Sequence, residues 1–333
     1  MSKLRKLLYP IAIVYDTVTR VRNICYDKGI FKTANYDLPI IAVGNLSVGG
    51  TGKSPMIEYL IRLLSPDLKL ATLSRGYRRK SSGFILADSA VSSDDIGDEP
   101  MQFHTKFKEV SVAVDADRQH GIKQLQKLVN PDVILLDDAF QHRKVTAGFY
   151  VLLTKYNDLF VDDCVLPAGN LRESGKGVNR ADVVVVTKCP ENISKRKQQE
   201  IREKLNVANE VYFTSIGYAP KVNGVKNIAV ADLKMFNFTL VTGIANPKPL
   251  VIFLSQKDLK FKHLAYKDHH NFTDSEIDEL SKESLILTTE KDYMRLKDKL
   301  SNVCYLSIIT KFITEQSKFD ERILSFIEQK NLS

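Results

Sequence analysis

Two short stretches of this 333-residue chain hold residue types and spacings suited to moving a phosphoryl group, and a few acids and histidines elsewhere could assist them. The first stretch is Ser47-Val48-Gly49-Gly50-Thr51-Gly52-Lys53-Ser54. Its glycines let successive backbone N–H groups turn inward without Cβ clashes, which builds an anion cradle. Lys53 follows where an ammonium reaches the β/γ-phosphates of a nucleotide, and Ser54 offers a hydroxyl to Mg²⁺. Set against G-x-x-x-x-G-K-[ST], one position departs, because Ser47 stands in the place of the first glycine. A flexible turn or a dinucleotide loop is the competing reading, but Pro55 occupies the position where G-x-G-x-x-G requires another glycine.

The second stretch is Asp137-Asp138, at the end of the apolar run Val133 to Leu136. An apolar strand that ends in acids is the partner a phosphate loop needs, since Mg²⁺ is hard, prefers oxygen and is held through such an aspartate. Alone, the same residues could simply cap a strand. Asp98, in Gly97-Asp98-Glu99-Pro100, reads either as a general base or as a helix cap. His269 and His270 are adjacent, so in an extended segment they point opposite ways and would not chelate one metal together.

These groups must be held by elements the sequence also marks. Ile40 to Val43 reads as a buried strand before the glycine loop, with a helix opening near Pro55, which suits a first helical turn. Leu70 to Leu73, Val110 to Val114, Phe149 to Leu153 and Ala181 to Thr187 read as further strands. Their alternation with helices predicts an α/β fold, a P-loop NTPase-type, largely parallel sheet flanked by helices. Basic or polar clusters follow several strands: Arg75 to Lys80 after the second, Asp115 to Gly121 after the next, Gln141-His142-Arg143 after the acids. A solvated turn is the competing reading of the Arg75 to Lys80 cluster, but position favours function, since ligands in such sheets bind at the strands' carboxyl ends. Leu166 to Ser174 adds adjacent Arg172 and Glu173, which could bring a cation to phosphate and a carboxylate to metal. Thr187-Lys188-Cys189-Pro190 stands where guanine-binding P-loop proteins carry N/T-K-x-D. Pro190 replaces the acid that would accept from guanine's ring N–H groups, which favours ATP.

The length points to two domains. The reading divides the chain into residues 1–36, a basic amphipathic helix; 37–210, the nucleotide domain; 211–232, a hairpin-like linker; and 233–333, a second, smaller α/β domain that closes over the site. Composition is that of a folded protein, with 44% hydrophobic and 26% charged residues. Four dispersed cysteines without a C-x-x-C pair indicate reduced thiols and no thiolate metal site. The net charge of +8 is concentrated at the start, where residues 1–36 hold seven Lys/Arg against two acids. There Ile11, Val14, Val18, Val21 and Cys25 recur at helical spacing, in a run too short to span a bilayer. Such a helix either lies on an anionic lipid surface or docks on its own domain. No recognisable nucleic-acid module accompanies the charge, and no obligate protein partner is indicated.

Together SVGGTGKSP, SRGY, GDEP, DADR, DDAFQHR, LPAGNLRES, TGIANP, DHHNF and TEKDYMRL resemble, in order and over nearly the whole chain, the tetraacyldisaccharide 4′-kinase family of lipid A biosynthesis. In that family the loop characteristically begins with Ser, so Ser47 fits. The resemblance implies ATP- and Mg²⁺-dependent phosphorylation of the 4′-hydroxyl of a lipid A disaccharide 1-phosphate. It also implies a peripheral or monotopic enzyme on the cytoplasmic face of the bacterial inner membrane, held there by its N-terminal helix. By motif, Asp98 looks like the base, paired with His269. Residues 47–54 would bind ATP, and Ser54, Asp137, Asp138 and Glu173 would hold metal. Arg75, Arg118, Gln141, His142, Arg143 and Arg172 would contact substrate or nucleotide. A different class, a P-loop assembly factor or regulatory switch, would need no acceptor base.

Overall fold

The computed structural model describes residue 5, residues 7–268 and residues 270–332. The chain forms two compact units, residues 1–216 with 310–333 and residues 217–309.

The larger unit is built on a nine-stranded sheet. In chain order its strands are β1 (Ile40–Asn45), β2 (Leu70–Ser74), β3 (Ile85–Leu86), β4 (Ser111–Val114), β5 (Val133–Asp137), β6 (Phe149–Lys155), β7 (Val183–Thr187) and β8 (Glu210–Tyr218). The ninth, β15 (Ile308–Phe312), comes from the end of the chain. Across the sheet the order is β15-β8-β7-β6-β1-β5-β2-β4-β3. Strands β8 through β4 pair in parallel and β3 is antiparallel at the edge, as the alternation predicts. β1, β2, β5 and β7 are buried at every position, which is why they read as unbroken apolar runs. β1 lies between β5 and β6, with Val43 opposite Asp137. That register sets the end of the glycine loop's strand beside the end of the acidic strand.

Helix α1 is Tyr9–Asp27, with Pro10 in its first turn. Helix α2 (Lys53–Leu64) buries Met56, Ile57, Leu60, Ile61 and Leu64, a one-sided 3.6-residue pattern, against the sheet. It also buries Glu58, whose carboxylate is satisfied by Arg62 (2.9 Å), Lys106 (2.6 Å) and Gln102 (2.9 Å). The remaining helices of this unit are α3 (Ser93–Ile96), α4 (Asp98–Lys106), α5 (Arg118–Leu128), α6 (Lys195–Leu205) and α10 (Gln316–Asn331).

The domain boundaries differ from those expected. Residues 211–216 are not linker: they belong to β8, which pairs in parallel with β7 inside the large sheet. Nor does the chain end in the smaller unit. Phe319, Ile323 and Ile327 of α10 enter the same core as Tyr212 and Phe312, and Tyr59 donates to Asp320 at 2.6 Å. Burial of this aromatic cluster, available only from a segment about a hundred residues downstream of β8, explains the return of the chain.

The smaller unit has a six-stranded sheet in the order β10-β9-β14-β13-β11-β12. These strands are β9 (Lys221–Gly224), β10 (Ile228–Ala229), β11 (Phe238–Thr242), β12 (Phe261–Ala265), β13 (Ile286–Thr289) and β14 (Val303–Leu306). They alternate with α7 (Lys248–Ser255), α8 (Asp274–Ser281) and α9 (Glu290–Leu296). The last of these forms the TEKDYMRL motif. Asp292, fully buried, accepts from the Gly243 N–H at 2.8 Å and from Thr289 Oγ1 at 2.7 Å, which ties that motif to TGIANP.

Candidate active site

The glycine loop emerges from β1 and turns into α2 through Gly49 (φ 101°) and Gly52 (φ 95°), left-handed conformations that strain any residue with a Cβ. Gly52 is the residue on which α2 begins, so Lys53 and Ser54 open the helix with its positive end behind them. The loop is braced from two sides. Val48 N–H donates to the Asn170 carbonyl (2.8 Å) and the Arg172 N–H to Leu46 (2.7 Å), which docks LPAGNLRES against it. From β7, Thr187 Oγ1 donates to the Thr51 carbonyl (2.7 Å) and Lys188 Nζ to the Gly50 carbonyl (2.7 Å). The T-K dipeptide that a guanine site would use is thus engaged with the loop itself.

Lys53 Nζ lies 3.5 Å from both Asn45 Oδ1 and Asp138 Oδ1. Asp138, in a left-handed conformation (φ 50°), also accepts from Arg172 at 2.8 Å. Burial alone would raise its pKa, but Lys53 and Arg172 outweigh that and hold Asp138 below the usual carboxylate range. Asp137 behaves oppositely. Burial first, then the charges of Glu99 and Asp138, push it up to about 8. Among the described residues its Oδ1 is buried without a hydrogen-bond partner, as is Nε of Arg118, whose side chain donates to the backbone carbonyls of Asp115 (2.6 Å) and Asp137 (3.5 Å).

Ser54 Oγ donates to Glu99 at 3.0 Å. This contact was not anticipated from the sequence, where GDEP drew attention through Asp98 alone. It joins the phosphate loop to GDEP and brings Glu99 close enough for its charge to act on Asp137. Asp98 itself is exposed and is the first residue of α4; the cap position is Gly97, so the helix-cap reading of Asp98 does not hold. Glu173, expected at the metal, has Asn23 (2.6 Å), Gln141 (3.1 Å) and Arg180 (2.8 Å) as partners. Among the described residues it makes no contact with Ser54.

A model of the family described as tetraacyldisaccharide-1-P 4′-kinase matches residues 4–328. The chain belongs to this family. It is 52% identical to the tetraacyldisaccharide 4′-kinase of Flavobacterium johnsoniae over 99% of both chains, and 41% identical to that of Bacteroides thetaiotaomicron over 98% of this chain and 94% of the relative. Among solved structures it is similar to LpxK from Aquifex aeolicus in complex with ATP, with a TM-score of 0.80 and 30% identity over 97% of this chain and 99% of that one.

The remaining candidates of this family member divide into two sets. Arg75 is exposed after β2, close enough for its charge to act on Arg118, and Arg118 is buried behind it. Gln141, Arg143 and Arg172 are engaged with the protein: Gln141 donates to the Asn45 carbonyl (2.9 Å), and Arg143 pairs with Asp27 of α1 (2.7 Å). His269 lies outside the described residues; His270 bonds Glu276 (2.9 Å) and stacks on Tyr266. Among the described residues no cluster of three or more His, Cys, Asp or Glu could hold a metal unaided. A Mg²⁺ that arrives with nucleotide needs only one or two protein carboxylates. The unpaired Asp137 Oδ1 and the hard oxygens of Ser54 and Glu99 fit such an ion.

His142 is partly buried, its Nε2 has no partner among the described residues, and burial followed by the Arg118 charge lowers its pKa to about 4. It is therefore neutral in the folded protein at pH 5–7. An unfolded chain binds this proton near pH 6.5, so the stability it contributes is complete above that pH and is lost as pH falls toward 4. After discounting for its partial exposure the effect is about 1–2 kcal/mol. Melting curves at pH 7 and pH 5 should therefore show a smaller acid-induced drop for His142→Gln than for wild type; equal drops would exclude this source.

Proposed function

We infer that this chain is an ATP-dependent lipid kinase that phosphorylates the 4′-hydroxyl of a lipid A disaccharide 1-phosphate. The observation that carries the reading is the 3.0 Å contact between Ser54 and Glu99. It sets the residue next to Asp98 against the phosphate loop, so an exposed carboxylate stands near the place where a γ-phosphoryl group would be held. Backbone N–H groups of residues 49–54 and the Lys53 ammonium bind the nucleotide phosphates and offset the charge that spreads over the transferred group. Asp98 accepts the proton of the sugar hydroxyl, and the remaining demand is for alignment. Arg75 and Arg118 supply positive charge for an anionic substrate or nucleotide group. Ser54, Asp137 and Glu99 would hold Mg²⁺, with Asp138 beside them; the ion supplies electrophilic stabilisation of phosphate oxygens.

The surface of α1 supports action at a membrane. Ile11, Val14, Val18 and Val21, and Leu7 just before the helix, are each more than half exposed, whereas the face with Ala12, Tyr15, Arg22 and Asn23 turns toward the protein. This inverts the usual orientation of an amphipathic surface helix and turns an apolar stripe outward in a segment, residues 1–36, that holds seven Lys/Arg against two acids, which suits an anionic lipid interface. Among the described residues no helix is long and apolar enough to cross a membrane. We assign the enzyme to the cytoplasmic surface of the inner membrane, where ATP and the lipid acceptor meet.

Two measurements test this. Chelation of Mg²⁺ with EDTA should abolish transfer, and added Mg²⁺ should restore it. The protein should sediment with anionic vesicles, and Val14→Asp/Val18→Asp should reduce that severalfold. Transfer that survives chelation would overturn the metal assignment, and vesicle binding indifferent to the double substitution would overturn the role of α1.

A further inference from the structure

Helix α1 does more than present an apolar stripe, because its inner face is hydrogen-bonded to the loops that form the site. Tyr15 Oη donates to the Arg172 carbonyl (2.9 Å), Arg22 Nη2 to the Gln141 carbonyl (3.0 Å), and Asn23 Nδ2 to Glu173 Oε2 (2.6 Å). The last bond is the shortest of the three and involves a buried charge. Glu173 is 3% exposed, and the Asn23 Oδ1 atom on the other side of the same amide is buried without a partner among the described residues. The amide is therefore oriented by Glu173 and by no other side chain described.

From Glu173 the bonds continue without a gap. Its Oε1 accepts from Gln141 Nε2 (3.1 Å); Gln141 Oε1 accepts from Arg172 Nη1 (3.4 Å); Arg172 Nη1 also donates to Asp138 Oδ1 (2.8 Å), and that oxygen lies 3.5 Å from Lys53 Nζ. Gln141 is further tied to the Asn45 carbonyl at the end of β1 (2.9 Å), and the Asn45 side chain lies 3.5 Å from Lys53 Nζ. One continuous network thus runs from the surface helix to the ammonium of the phosphate loop. The network is partly buried, with Glu173 at its buried end, and in such a network each member restricts the rotamer of the next, so that a gap at one end loosens the other.

We propose that Asn23 is a positioning residue for phosphoryl transfer, which sets Glu173 and through it the Gln141–Arg172–Asp138–Lys53 constellation. The proposal rests on the lipid-kinase reading above. Its consequence is that the helix with the lipid-facing stripe also governs turnover, through the opposite face. The Asn23 donor is spent on Glu173 and is given no role in binding nucleotide or acceptor, so its loss should act on kcat and leave the KM values in place.

The test is steady-state transfer to dispersed lipid acceptor by wild type, Asn23→Leu, Glu173→Gln and the double variant, on the full chain. Asn23→Leu keeps the side chain's bulk and removes the donor. Expected are a drop in kcat of about tenfold, the lower end for residues that orient the groups around a metal or reacting site, KM for ATP and lipid within about twofold, and unchanged sedimentation with vesicles. In the Glu173→Gln background the same substitution should cost less than about twofold, because coupled residues are not additive. If Asn23→Leu does not melt cooperatively, Asn23→Ser, with a shorter donor, carries the same comparison. Unchanged kcat, a full tenfold loss on top of Glu173→Gln, or a loss matched by failed vesicle binding would overturn the proposal. Absence of lipid phosphorylation by wild type would instead overturn the reading on which it rests.

Discussion

Lys53→Ala is expected to lower kcat for lipid phosphorylation by about 10²–10³, the cost of removing one preorganised charge from a site that stabilises a developing anion. The stability of the fold should barely change. Lys53 is held at 3.5 Å from Asn45 and Asp138, and Asp138 retains Arg172 at 2.8 Å when the lysine is gone. A partly exposed ion pair of that length contributes no more than about 1 kcal/mol. The two magnitudes separate chemistry from folding: activity falls by orders of magnitude while the melting temperature shifts by a few degrees. Turnover at saturating ATP, with thermal melts of both proteins, checks this. Near-wild-type turnover would show that the ammonium does not act on the transferred group.

Asp98→Asn is expected to have a comparable or larger effect, a loss of about 10²–10⁴ in kcat, the range for a positioned general base. The substitution conserves size and removes the capacity to take a proton. Asp98 opens α4, so its charge also favours the helix N-terminus, but at an exposed position that is worth only about 0.3–1 kcal/mol. If Asp98 served only the helix, the variant would lose that stability and keep its turnover. The two outcomes differ by at least two decades in rate. ATP hydrolysis without acceptor should be affected far less than transfer, because the role proposed for Asp98 is on the hydroxyl and that proposed for Lys53 is on the phosphates.

The elements that hold these residues were legible because their signals are local. A β-branched run before three close glycines and Lys-Ser specifies strand, loop and helix within about twenty residues, and β1 and α2 form there. Asp137 and Asp138 were legible for the same reason, although only the register of β5 against β1 brings them beside the loop. Long-range partnerships were not legible. The alternation in Val211 to Ile216 suits a hairpin as well as a parallel strand, and what decides is its pairing with β7 and β15 and its burial under α10, both distant in sequence.

The same limit explains the site residues. Glu99 sits beside Asp98 in one motif, and nothing local marks it as the partner of Ser54. Glu173 was expected at the metal from its motif alone, whereas its bonds to Asn23 and Arg180 depend on tertiary packing. For α1, periodicity identifies an apolar stripe, but the direction it faces follows from whether the opposite side finds hydrogen-bond partners. Tyr15, Arg22 and Asn23 find them on the loops of the active site, so the stripe is turned outward.

The most direct test of the account follows ³²P from γ-labelled ATP into a detergent-dispersed lipid A disaccharide 1-phosphate, with the labelled position mapped on the product. The account predicts label on the 4′-hydroxyl of the lipid with wild type and its loss with Lys53→Ala and Asp98→Asn while both variants stay folded. Label at another hydroxyl would contradict the 4′ assignment, and hydrolysis of ATP with the lipid left unlabelled would contradict the account as a whole and return the chain to the class of nucleotide-driven switches.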